Sequence, residues 1–276
     1  MNYAKATNGK GHVISDLGRS FKQRIASHFS RAANSYDDVA RLQKRVAART
    51  MMLLPSLQAP LKILDLGSGT GCQTNVLAKR YSGSLVVGID LSAGMVQYAK
   101  SKYREVCNNA WSVGDIENLP FQSSSFDLVY SSLAIQWCDL QTVIQQVKRI
   151  LKPKGTFIFS TLTEGSMPEL RATWQLVDEG MHTNSFPSFS EQKKILQNES
   201  LQIKALRCQS ETLFYSDVLT LLLELKSLGV NTIRSPRKGL MSRKKLESLC
   251  AAYETFREKE GLPLSYKVIY GKVGLA

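Results

Sequence analysis

Leu64-Asp65-Leu66-Gly67-Ser68-Gly69-Thr70-Gly71 is the stretch on which the reading of this 276-residue chain turns. A short apolar run at 62–66 leads into it, and a helical pattern at 71–81 leads out of it. Glycine lets such a turn take positive φ and lets backbone approach a ligand with no Cβ in the way. In an open parallel sheet the turn lies at the carboxyl ends of the strands, where ligands bind. The spacing then separates two chemistries. A dinucleotide site has the form G-x-G-x-x-G, with pyrophosphate over the helix N-terminus. Counted from Gly67, the last glycine of that form falls on Cys72; counted from Gly69, it falls on Thr74; neither register fits. Asp65 instead opens a D-x-G-x-G-x-G arrangement, and an acid there suits a cationic amino-acid ligand better than a pyrophosphate.

The next apolar run, 85–89, ends in Asp90, 19 residues after Gly71. A carboxylate at that tip can accept from both hydroxyls of a ribose; its plainer reading is a strand-end acid or a helix cap. A weaker run at 111–113 leads to Gly114-Asp115-Ile116-Glu117, where Asp115 is placed to accept from an adenine amino group with Ile116 against the ring. Alone, Asp115 reads as a turn residue; in series with Asp65 and Asp90 it favours adenine.

Working outward, the alternation continues with strands at 126–130 and 156–161 and helices at 92–102 and 140–151, implying βαβ crossovers and a doubly wound α/β sheet. Upstream, 20–54 is helical, with Phe21, Ile25, Ala26 and Phe29 on one face. Val39, Leu42, Val46, Thr50 and Leu53 then recur at three- and four-residue steps. Beyond Thr163 the rhythm breaks. Helices are expected at 168–179, 191–198, 217–228 and 242–259, and strands at 209–215 and 265–273. The expected organisation is a flexible 1–19 and a single domain, 20–276. That domain comprises N-terminal helices (20–58), a ligand-binding core (60–163), a helical insertion roofing the sheet's carboxyl edge (164–260) and a terminal strand (261–276).

Bulk composition excludes several classes. No run approaches the ~18–20 apolar residues of a membrane span, and the polar start lacks the apolar stretch of a secretory signal. Five widely spaced cysteines, with no C-x-x-C pair, argue against a disulfide framework and against zinc. A cytoplasmic, metal-free protein is expected. Net charge is +13, to which residues 1–60 contribute 10 Lys/Arg against 3 Asp/Glu; residues 226–245 add 7 basic residues and no acid. Solvated surface is the plain reading; an acidic partner is the functional one. Nucleic acid is the weaker partner, since no aromatic residues interleave the basic stretches as a stacking platform.

The ordered set of motifs resembles the class I S-adenosylmethionine (SAM)-dependent methyltransferases over about 60–165. A likeness to the biotin-pathway malonyl-acyl-carrier-protein O-methyltransferases extends from about 22 to 273. It rests on Phe29-Ser30-Arg31-Ala32-Ala33-Asn34-Ser35-Tyr36, on Gln136-Trp137-Cys138 and on Thr161-Leu162-Thr163-Glu164-Gly165-Ser166-Met167-Pro168-Glu169-Leu170. Further matches are Val177-Asp178-Glu179 with His182, and Leu225-Lys226-Ser227-Leu228-Gly229-Val230-Asn231. Ser68 and Thr70 depart from residues often Cys and Pro in relatives, with the glycine spacing kept. The resemblance implies a mostly parallel, seven-stranded Rossmann-like sheet, SAM as cofactor and S-adenosylhomocysteine (SAH) as its product. The cofactor-binding set it implies is Asp65, Gly67, Ser68, Gly69, Gly71, Asp90, Leu91, Met95, Asp115, Ile116 and Ser131.

Tyr36, Trp137, Arg149 and His182 are candidates for orienting the substrate, none of them a certain catalytic residue. Arg149 is equally a helix C-terminal surface residue, and His182, in the expected roof, is the weaker candidate, its plainer reading a helix cap. A malonyl carboxylate is ionised at neutral pH, given carboxyl pKa values near 4, so its methylation needs no general base, and none is evident. The implied partner is an acidic acyl carrier protein docking on 226–245 and the N-terminal helices. The product ester would pass through apolar elongation channels that exclude charge. Competing readings are a quinone or other small-molecule methyltransferase, an RNA methyltransferase and a non-catalytic SAM-binding protein.

Overall fold

The computed structural model describes residues 9–178, 180, 182–228 and 242–275, with side chains from Ser20 onward. Arg237 and Lys238, in the basic stretch, and Glu179 lie outside the described residues. Helix α1 (Gly9–Ala32) is followed by a single turn, α2 (Tyr36–Val39), and by α3 (Arg41–Met51). The first helix begins at Gly9 rather than near Ser20, a correction to the expected start. The core then alternates: β1 (Lys62–Leu66), α4 (Cys72–Arg80), β2 (Leu85–Asp90), α5 (Ala93–Lys102), β3 (Asn109–Val113), β4 (Phe126–Ser132), α6 (Leu140–Ile150) and β5 (Leu151–Leu162). Helices α7 (Pro168–Val177) and α8 (Phe189–Asn198) precede β6 (Gln202–Tyr215), and α9 (Val218–Ser227) and α10 (Arg243–Tyr253) precede β7 (Leu262–Gly274).

The seven strands lie in the order β3-β2-β1-β4-β5-β7-β6. Strands β1 to β5 pair parallel, and β7 lies antiparallel between β5 and β6. Order reverses between β1 and β4, and ligands of doubly wound sheets bind in the crevice at such a switch point. Alternation along β1 sends Leu64 and Leu66 to one buried face, under α6, and Ile63 to the other, with Leu77 and Tyr81. A third cluster packs α7, α9 and α10 on the β6–β7 ribbon around Trp174, Tyr253 and Leu264.

Two elements outrun their sequence patterns. β6 starts at Gln202, where 209 was expected, because β7 supplies partners along its whole length, including a bulge at Ile203/Ala205. Its first half is polar and half exposed, as befits a sheet edge. The last helix stops at Tyr253, short of 259, and a further tight turn spans Glu254–Phe256.

Candidate active site

The tips of β1, β2 and β4 and the segment after β3 surround a cavity that opens to solvent. Gly67 and Gly69 line it from the first tip, Asp90, Leu91, Ser92 and Met95 from the second, and Asp115 and Ile116 from beyond the third. Ser132, Leu133, Ala134, Trp137 and Cys138 close the side after β4.

Each glycine of the turn is left-handed, with φ of +70° at Gly67, +52° at Gly69 and +80° at Gly71. The three glycines differ in what surrounds them. A Cβ on Gly67 would fall 2.3 Å from the Ala134 Cβ, and one on Gly71 would fall 2.3 Å from the Trp111 ring. A Cβ on Gly69 would meet nothing within 4 Å, so only there does the missing side chain leave open space over the cavity.

Asp90 holds the turn to the second tip: Gly69 N–H donates to its Oδ2 (2.9 Å) and Ser92 N–H to its Oδ1 (2.8 Å). Burial raises its pKa, and the two N–H groups work against that rise. Asp65 lies behind the turn. Its Oδ2 accepts from the Thr74 hydroxyl at 2.6 Å, and burial pushes its carboxyl up to about 7, opposed by Thr74 and assisted by the Asp90 charge.

Helix α1 roofs the cavity with Lys22, Ile25, Ala26 and Phe29, and α2 adds Tyr36. Phe29 meets Tyr36 and Trp137 edge-on, with ring centroids 6.1 and 6.0 Å apart. Burial, then the Asp90 and Asp37 charges, raise the Tyr36 phenol above its usual pKa. Asp37 accepts from the Thr70 hydroxyl (2.7 Å) and from Lys102 (2.7 Å), tying α2 to both the glycine turn and α5.

The structure thus brings together Tyr36, Gly67, Gly69, Asp90, Leu91, Met95, Asp115, Ile116 and Trp137 of the expected residues. Asp65, behind the turn, and Ser68 and Gly71, within it, do not line the cavity. Three expectations require correction. Ser131 is wholly buried and donates to the Leu66 carbonyl (3.0 Å); strand alternation gives the cavity to its neighbour Ser132. Arg149 lies away from the cavity, its guanidinium committed to the Phe121 and Leu119 carbonyls and the Gln146 side chain. His182 stacks on Trp174 (3.6 Å, 3° between planes) and pairs with Asp178 at the end of α7, which in turn pairs with Lys245 of α10, so His182 packs on α7 and does not line the cavity. The expected set missed Ser92, Ser132, Leu133, Ala134 and Cys138 on the sheet side and, in the roof, Lys22, Ile25, Ala26 and Phe29 of α1. The periodicity of the α1 residues was visible, but a stripe that faces a ligand has the same spacing as one that faces a core.

Comparison with known proteins agrees with this architecture. A family model described as a methyltransferase domain matches residues 64–159. The chain is 38% identical over 254 residues to the malonyl-[acyl-carrier protein] O-methyltransferase of Pectobacterium atrosepticum, covering 91% of this chain and 96% of that one. It is 39% identical over 251 residues to the biotin biosynthesis bifunctional protein BioHC of Cellvibrio japonicus, covering 90% of this chain and 49% of that longer protein. Among solved structures, the YcgJ protein of Bacillus subtilis superposes with a TM-score of 0.60 at 20% identity, over 83% of this chain and 97% of that one, which supports the fold. The chain belongs to the malonyl-[acyl-carrier protein] O-methyltransferase family and is a SAM-dependent methyltransferase.

Proposed function

We propose that this enzyme methylates the free carboxylate of a malonyl group carried by an acyl carrier protein, with SAM laid along the strand tips. The observation that carries the reading is the make-up of the cavity: acids at successive tips, a glycine with open space above it, and an aromatic wall with no histidine among its described residues. Gly67 and Gly69 would face the methionine portion, Asp90 the ribose hydroxyls, and Asp115 with Ile116 the adenine. Each oxygen of Asp90 accepts one backbone N–H and keeps a lone pair for a hydroxyl. Thr74 holds Asp65 behind the turn, and the Asp65 carboxylate, when ionised, favours a cationic ligand.

When bound, SAM supplies a methyl group on a sulfonium, an electrophile open to in-line attack. The residues around it need only position the acceptor and exclude water. A malonyl carboxylate is already ionised, with carboxyl pKa values near 4. Tyr36, its pKa raised by burial, keeps its proton and acts as a hydrogen-bond donor. Trp137 and Phe29 complete a dry wall beside it. The names of the relatives support the carrier-bound malonyl acceptor, and the net charge of +13 supports an acidic partner. Mass spectrometry of malonyl-carrier protein incubated with SAM and enzyme tests this. One added CH2, removed by mild base, is the expected result; no gain, or methylation only of a demethylated quinone, would refute it.

A further inference from the structure

The cofactor motifs account for the sheet side of the cavity and leave the roof unexplained, where a cation stands among acids. Lys22 Nζ donates to Asp115 Oδ2 (2.6 Å) and to Glu117 Oε2 (2.6 Å), and Lys22 itself lines the cavity. Burial alone would lower its pKa; the two carboxylates outweigh that and leave it raised, so the ammonium is charged. Its placement is built in. Ser30, two turns further along α1, hydrogen-bonds Ser92 Oγ (2.8 Å) and accepts from Gly94 N–H (3.3 Å). A Cβ on Gly94 would sit 2.8 Å from the Ser30 Cα, so the helices touch only because residue 94 is glycine. That contact sets the register of α1 over the cavity, and the i, i+3, i+4, i+7 spacing turns Lys22, Ile25, Ala26 and Phe29 to the same side.

An ammonium carries three N–H donors. Two are given to Asp115 and Glu117, which leaves one for a ligand. Asp115, with Oδ1 accepting from Glu117 N–H (2.9 Å), is an acceptor with capacity left. Donor and acceptor therefore stand side by side where adenine presents an amino group flanked by ring nitrogens.

Resting on the reading that this cavity takes the adenosine of SAM, we infer that Lys22 is a base-recognition residue, donating to an adenine ring nitrogen while Asp115 accepts from the exocyclic amine. Residue 22 lies outside every motif of the glycine-turn core. The roof helix then checks the base as well as covering it.

Calorimetry on the wild type and Lys22→Met, using SAH and its 1-deaza and 7-deaza adenine analogues, tests this. The variant should bind SAH about tenfold more weakly, as expected for one charge-assisted hydrogen bond. For the analogue lacking the contacted nitrogen, the penalty should shrink to less than about twofold, the coupling a double-mutant cycle isolates. Lys22→Arg should restore most of the SAH affinity, and KM for SAM should move far more than kcat. An equal penalty on all three ligands, or none, overturns the inference and leaves Lys22 only holding α1 in place. Should the methionine variant fail to fold, Lys22→Gln with the same three ligands decides on the same criterion. Failure of the wild type to bind SAH would instead remove the site reading beneath it.

Discussion

Alanine at Gly67 and alanine at Gly69 meet the same backbone penalty and different surroundings. Both positions hold left-handed backbone, which costs an L-residue roughly 1–2 kcal/mol. Gly67→Ala also drives a methyl into Ala134, whereas Gly69→Ala meets no protein atom. Gly67→Ala should therefore lower Tm clearly, while Gly69→Ala should fold with a small loss and fail chiefly in SAH affinity; paired thermal melts and calorimetry check both. Asp65 makes a pH prediction. Its folded pKa, about 7, lies above the ordinary carboxyl value, so the ligand-free fold holds a proton that the unfolded chain releases. Its contribution to stability is present below the unfolded value and is lost as pH rises through about 7. A cationic ligand favours the ionised carboxylate, so SAM should bind more tightly at about pH 8 than at about pH 6. Asp65→Asn should flatten both dependences, read by denaturation and by calorimetry across that range. The acids and glycines of the turn were legible because each is set by spacing along the chain. Ser131 was misplaced by one position because strand alternation decides which neighbour faces the cavity.

Along α3, Arg41, Arg45 and Arg49 form a stripe at four-residue steps, which sequence charge alone reads as solvated or docking surface. The fold uses them internally. Arg41 pairs with Glu224 (2.9 Å), Arg45 donates to the Thr212 carbonyl (2.9 Å), and Arg49 pairs with Glu211 (2.5 Å). Glu211 is almost wholly buried and also accepts from the Tyr270 hydroxyl (2.8 Å). Removing Arg49 leaves a buried carboxylate with one fewer donor, a loss of roughly 2 kcal/mol. Arg49→Ala should show this in urea denaturation, and Arg49→Ala with Glu211→Gln should recover part of it; strict additivity would disprove the coupling. The stripe of α1 was legible as amphipathic, but which surface it covers follows from the Ser30–Gly94 contact, between residues far apart in sequence. Arg149 shows the converse: its place on a helix was readable, while the carbonyls it holds come from a loop whose path only the fold reveals.

At the scale of the molecule, the strand order assembles the site by bringing four separated tips to one crevice. No described helix is long and apolar enough to cross a membrane. With Lys22, Arg41, Arg45 and Arg49 paired to carboxylates within the fold, the described basic residues that a docking acidic carrier would meet include Arg243, highly exposed at the start of α10 beside Glu247. Charge reversal at Arg243 and Lys244 should raise KM for malonyl-carrier protein several-fold more than for malonyl-CoA, in steady-state kinetics at low salt; equal effects would place docking elsewhere. The chain's order of residues by itself determined the βαβ rhythm, the glycine turn and the acids at the strand tips, since each depends on neighbours within a few positions. Tertiary structure alone decided that α1 roofs the cavity, that Lys22 stands among its acids and that Arg149 and His182 serve packing. Those facts depend on contacts between distant segments, and spacing along a chain carries no record of what lies across the fold.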